Sequence, residues 1–184
     1  AQSYIDLSQD TPDTEARQRI IVQNLVERWE HTPPKHPIIL AGSTGSRGTT
    51  LMLMQAIARL PNGAVILPGF DFDMPTDVWT SLSDAMLSED HPQFRFHKLL
   101  LSLEKSSDDV IPWAYDAPAA PARNKLVSLA LRPAPVTDAW LSEGPHLTGI
   151  AEGLKGVTLL QAETPRDEAL AIAMRLRKAA EDGQ

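Results

Sequence analysis

Cysteine is absent from the 184 residues, and aromatic side chains are few: four tryptophans, four phenylalanines and two tyrosines. Without cysteine there is no disulfide framework, no thiol nucleophile and no sulfur-bound zinc. Cations are outnumbered, 17 Lys and Arg against 24 Asp and Glu, so the formal charge is −7. That balance excludes a wholly basic nucleic-acid-binding surface but leaves room for a local one. Long apolar runs are missing as well. The longest, such as Pro37 to Ala41 and Leu99 to Leu101, fall far short of the roughly 20 residues that cross a bilayer. The opening residues, AQSYIDLSQD, lack a basic region followed by an apolar one, so no secretory signal is read there. They also lack an initiator methionine, and a processed or excised segment of a longer chain is the expectation. Proline, by contrast, is plentiful at 15 residues, about 8% against a usual share of roughly 5%. It predicts many interruptions between elements. The length suits one domain, or one lobe of a larger protein, and suffices for a core without covalent staples.

Periodicity then orders the chain. Ala16, Ile20, Ile21, Leu25, Val26 and Trp29 recur at helical spacing over Asp13 to His31, and Thr32-Pro33-Pro34 stops that helix. The apolar run Pro37 to Ala41 predicts a buried strand, and a Ser/Thr/Gly loop from Gly42 to Gly48 leads into a helix over Thr49 to Leu60. Ala64 to Leu67 predicts a second buried strand, making a βαβ unit with parallel strands and a right-handed crossover. Helices are expected at Thr76 to Leu87, His91 to Lys105 and Pro121 to Leu131, with the loop DAPAAPA before the last. Val157 to Gln161 predicts a third strand. Thr164-Pro165-Arg166-Asp167 follows as a helix start, with Thr as N-cap, Pro at N1 and an acid at N3. The fold class expected is α/β, a parallel sheet flanked by helices.

The loop Gly42, Ser43, Thr44, Gly45, Ser46, Arg47, Gly48 sits where a phosphate loop sits, after a buried strand and before a helix whose N-terminus favours an anion. The nucleotide-hydrolysing pattern needs Gly, four residues, Gly, Lys, then Ser or Thr. With Gly48 as the second glycine, Ser43 takes the first place and Thr49 the place of lysine, and Arg47 precedes the glycine. Nucleotide binding, DNA or phosphate contact, and a purely structural turn stay open. Asp71 and Asp73, two apart after the second strand, either share a divalent ion or are solvated and cap the next helix. The five histidines form no ligand spacing, and no G-x-S-x-G elbow exists, so conventional hydrolase chemistry is unsupported. The tryptophans are expected to anchor a core or interface, with Trp113 and Trp140, in irregular segments, as exceptions. Lys and Arg form no tract. Arg123, Lys125 and Arg132 lie on or near one helix, and Arg166, Arg175, Arg177 and Lys178 on the last.

Taken in order, Pro-Ile-Ile-Leu-Ala-Gly-Ser-Thr-Gly-Ser46, Ala-Ile-Ala-Arg-Leu-Pro61, Gly63-Ala-Val-Ile-Leu-Pro-Gly69, His91-Pro-Gln-Phe94, Leu131-Arg-Pro133 with Thr137-Asp-Ala-Trp140, and Arg166-Asp-Glu-Ala-Leu-Ala-Ile-Ala173 form a set. The set resembles the helicase-like region of the alphaproteobacterial AddB family, from about Gln18 to Ala180. AddB proteins are subunits of the AddAB helicase–nuclease that processes double-strand DNA breaks for recombination. The resemblance implies a partial, degenerate fold similar to P-loop NTPases and superfamily 1 helicase motors. It divides the chain into a lead-in over 1–12, a helicase-like segment over 13–155, and a strand–helix over 156–184 that begins a second motor domain. It implies DNA and an AddA-type helicase–nuclease subunit as partners, no membrane, and a cytoplasmic setting. ATP, magnesium and an iron–sulfur cluster are implied for the parent complex and none of them for this segment. The loop Gly42 to Arg47, with Arg132, is then expected to contact the DNA backbone, with no catalytic residue here. The alternatives are a purely structural lobe for the AddA motor and a nucleotide-binding enzyme domain.

Overall fold

The computed structural model describes residues 13–45, 48–114 and 118–183. The chain is mixed α/β and mostly helical, with a small two-stranded parallel sheet. Two compact units divide after Gly153. In the first, α1 (Thr14–His31) starts where the Asp13 carboxylate accepts the Ala16 N–H at 2.8 Å, and the Thr32 N–H closes it on the Arg28 carbonyl. This helix packs on α2 but buries no residue fully, leaving Ile21 64% exposed. Strand β1 (Ile38–Ala41) runs into the glycine loop, α2 (Gly48–Arg59) crosses over, and β2 (Gly63–Ile66) returns parallel to β1. The register pairs Ile38 with Gly63 and Ala41 with Ile66. The turn into β2 is tight enough that Gly63 has no substitute: an added methyl group would overlap the Ile57 carbonyl oxygen. The parallel strand–helix–strand order read from the sequence is present, but its strands are not the buried ones expected: Ile39 of β1 is 54% exposed and β2 is half-buried throughout.

The next expected helix is broken in two, α3 (Thr76–Ser81) and α4 (Ala85–Ser88). Serine and aspartate compete with the helical ladder between them. The Ser81 hydroxyl donates to the Val78 carbonyl, the Ser83 hydroxyl donates to the Thr80 carbonyl, and the Asp84 carboxylate accepts the Met86 N–H. Helix α5 (Phe94–Ser102) begins later than the periodicity suggests, so His91 precedes it and His97 lies within it. It buries Phe94, Phe96, His97, Leu99 and Leu100. The core gathers Met74, Val78, Trp79, Leu82 and Phe96, with Leu67, Phe70 and Val136 against them. Helices α6 (Pro121–Ala130), α7 (Ala139–Ser142) and α8 (Ile150–Gly153) complete this unit, and Pro121 stands in the first turn of α6.

The second unit differs from its sequence expectation. Val157 to Gln161 is no strand: Val157, Leu159 and Leu160 are 55%, 92% and 60% exposed, and among the described residues the only paired strands are β1 and β2. A short β-prone stretch, with Val157, Leu159 and Leu160 among its five residues, marks a segment suited to a sheet, but pairing needs a partner edge that periodicity cannot report. Helix α9 (Pro165–Glu181) starts as expected, with the Thr164 hydroxyl accepting the Asp167 N–H and Pro165 at N1. Its apolar stripe, including Ile172 and Leu176, is exposed within this unit. No helix among the described residues is long and apolar enough to cross a membrane.

Candidate functional site

The glycine loop leaves the carboxyl end of β1 and enters the amino end of α2, with Ser46 and Arg47 outside the described residues. Gly42, Gly45 and Gly48 all take positive φ, at 80°, 61° and 61°. The half-buried Ser43 hydroxyl accepts the Gly45 N–H at 3.1 Å, a short local turn, while Thr44 faces solvent. Gly45 is buried against the thioether of Met54, which is itself fully buried, and a β-carbon there would overlap the Met54 sulfur. The space that a phosphate cradle would keep open at Gly45 is therefore filled from within. Thr49, standing where the nucleotide-binding lysine belongs, brings no charge to the triphosphate. These residues do not fit ATP. The backbone at Gly42 and Gly48, where an added carbon meets nothing, is approachable.

Arg132 is not the surface cation expected. Its side chain is 3% exposed, and it donates from Nη1 to the Ser128 hydroxyl and carbonyl and from Nη2 to the Glu143 carboxylate at 3.1 Å. Its Nε is buried without a hydrogen-bond partner. The guanidinium ties the end of α6 to the segment after α7. Leu131-Arg132-Pro133 follows a helix end, which in sequence looks like an exposed turn. Burial of the arginine depends on Glu143, eleven residues on, and no local pattern announces it.

Asp71 and Asp73 meet in one turn, where the Asp71 carboxylate accepts the Asp73 N–H at 2.9 Å. Among the described residues no group of three or more His, Asp or Glu converges on a point where a metal ion could be held. The two carboxylates do line an open cleft of about 880 Å³. Its lining includes Phe70, Asp71, Phe72 and Asp73 of the loop after β2, His91 and Gln93 ahead of α5, and Asn124 and Val127 of α6 with Leu131 just past its end. Trp113 stands on the rim, 70% exposed.

The cleft is held by groups that periodicity missed. Gln93, buried, donates from Nε2 to the Gly69 carbonyl at 2.8 Å and accepts the Asp71 N–H at Oε1, bracing the loop after β2. His91 bonds at both nitrogens: Nε2 donates to the Leu131 carbonyl at 2.7 Å, and Nδ1 accepts the Gln93 N–H at 3.2 Å. That pairing fixes the neutral tautomer. Burial lowers the His91 pKa, outweighing the Leu131 carbonyl and the Asp71 carboxylate, which raise it; the Arg132 cation adds a smaller lowering. Phe70 stacks on the core residue Trp79 at 4.7 Å and meets Phe72 edge-on at 4.9 Å, so the aromatic loop is anchored. Nothing in the sequence marks His91 and Gln93 as site residues, because what they grip lies more than twenty residues away. Comparison of the chain with protein-family models, curated proteins and solved structures returns no match.

Proposed function

We propose that this chain is a helicase-like segment of an AddB-type subunit, supporting an AddA-type motor in the processing of DNA double-strand breaks. One observation carries the reading beyond the ordered motifs. The strand–glycine loop–helix–strand unit has parallel register, and its loop stands at the carboxyl end of β1, the edge where open α/β sheets receive ligands. With no lysine at Thr49 and Gly45 packed on Met54, the loop's role in this reading is backbone contact with DNA, without nucleotide hydrolysis. The P-loop-like and superfamily 1 assignment of the fold belongs to the same proposal, as do DNA and the AddA-type partner. ATP, magnesium and an iron–sulfur cluster belong to the parent complex in this view.

The test uses the full-length subunit joined to its AddA-type partner. Arg47→Ala is expected to weaken DNA binding and to reduce the slope of log affinity against log salt by about 1, the share of one phosphate contact. Unchanged affinity and slope would remove the DNA contact. A second reading, a lobe that only packs against the motor, is favoured by the inward placement of Arg132 and gains if that result is obtained with assembly intact. Failure of the full-length subunit to associate with any AddA-type chain would overturn both.

A further inference from the structure

The cleft between the Phe70–Asp73 loop and α6 has a chemistry unrelated to phosphate. We propose that it receives an arginine side chain carried on a segment of a partner polypeptide. This inference does not rest on the helicase-like reading, because it uses a different part of the chain.

Charge selects the class of ligand. Asp71 is half-buried and Asp73 exposed on the cleft wall, and Asp71 spends one oxygen on the Asp73 N–H. The cation on the lining, Arg123, is directed to the Gly153 carbonyl at 3.0 Å, and His91 is held neutral by its two hydrogen bonds. Two carboxylates at such a wall repel a phosphate and attract a cation. The aromatic rings then narrow the choice. Phe72, 54% exposed, is propped by Phe70, and Trp113, 70% exposed, stands on the rim. A planar guanidinium lies on such faces while offering two parallel N–H groups to a carboxylate, whereas an ammonium does so only as a point charge. The cleft, about 880 Å³ and open, lies toward the upper end of the range of roughly 300–1,000 Å³ that holds drug-sized ligands, so there is room for backbone beside the side chain. Val127, Leu131 and the prolines Pro92 and Pro112 supply apolar walls for it. The net charge of −7 favours a basic partner over any polyanion at long range.

The probe is the blocked peptide Ac-Ala-Arg-Ala-Arg-Ala-NH2, titrated calorimetrically into the 184-residue chain, with its lysine and citrulline counterparts and a ten-nucleotide oligothymidine as comparisons. Asp71→Asn keeps the oxygen that accepts the Asp73 N–H, and Asp73→Asn changes an exposed side chain, so the double variant keeps the turn. Glu27→Gln removes one charge from the exposed surface of α1 and is the control. The arginine peptide is expected to bind about tenfold tighter than the citrulline peptide and several-fold tighter than the lysine peptide, the scale of a charge-assisted bidentate pair with an aromatic face. The double variant should lose about tenfold, Trp113→Ala about threefold, and Glu27→Gln less than twofold. Four results overturn the proposal: no heat with millimolar arginine peptide, equal binding of citrulline and arginine, equal losses in Glu27→Gln and the double variant, or binding of oligothymidine that Trp113→Ala abolishes. Circular dichroism of each variant confirms that it is folded before the comparison is made.

Discussion

Arg132 shows how far a single side chain can depart from its reading in sequence. Beside a proline and after a helix, it has the look of a solvated cation, and in the structure its side chain is 3% exposed. Its partner Glu143 keeps a side chain 46% exposed, so the pair sits at the edge of the interior and the carboxylate stays partly hydrated. The lone Nε works against the pair, since an orphaned buried donor costs roughly 1–3 kcal/mol. The balance still favours the arginine, because deleting it would take from the buried Ser128 hydroxyl and carbonyl their guanidinium partner and leave a cavity where a buried side chain stood. Arg132→Ala is expected to lower unfolding free energy by about 1–3 kcal/mol in urea denaturation, with Glu143→Ala costing less and the double variant costing less than their sum. DNA affinity of the parent complex should keep its salt slope in this variant, provided it folds. A stable Arg132→Ala protein with a reduced slope would return the residue to the surface role.

Elements were legible where local chemistry decides them. Asp13 and Thr164 cap their helices as side-chain acceptors, Pro121 and Pro165 open theirs, and the βαβ unit follows from two short apolar runs separated by one helix. Illegibility begins where an element depends on a distant partner. The segment Val157 to Gln161 reads as a strand in sequence but takes no strand conformation, and the Thr76 to Leu87 helix is divided by serines that bond back to carbonyls. The cleft is the extreme case, since its lining is drawn from four separate stretches of chain and Gln93 matters only because Gly69 and Asp71 fold onto it. Within the glycine loop the same distinction yields a test. Gly42 and Gly45 both have positive φ, and a side chain in that conformation costs roughly 1–2 kcal/mol at either. Only Gly45 adds an overlap with the buried Met54, for which overpacking costs a further 1–3 kcal/mol or so. Gly45→Ala should therefore unfold at lower urea concentration than Gly42→Ala. Equal midpoints would mean that Met54 swings aside and that the loop is more open at Gly45 than its packing indicates.

At the scale of the whole molecule, the pH dependence of stability near neutrality should run through two histidines. Burial lowers the pKa of both His91 and His97 below the ordinary value of 6.5. His97, on the core face of α5, lies 3.1 Å from the Ser83 hydroxyl; that hydroxyl spends its proton on the Thr80 carbonyl and so accepts from His97 Nε2. At His91, a proton on Nδ1 would face the Gln93 N–H that now donates to it. Burial favours the neutral form of both rings, and at His91 the Gln93 N–H adds to it, so the unfolded chain binds protons more readily than the folded one once pH falls below about 6.5. Their contribution is present above that value and is lost as pH falls through the lowered folded-state values. Asp109, lowered by the Ser106 backbone N–H it accepts, acts in a separate window below its ordinary 3.8. A competing trend comes from the charge of −7, whose self-repulsion eases on acidification, but exposed charges are screened beyond about 8 Å at physiological ionic strength. The expected outcome is a lower thermal midpoint at pH 5.5 than at pH 7.5 in 0.15 M salt, with the difference reduced in His97→Gln and reduced further when His91→Gln is added. A midpoint that is unchanged or higher at pH 5.5 would show that relief of charge repulsion dominates; an unchanged difference in the double variant would place the titrating groups elsewhere.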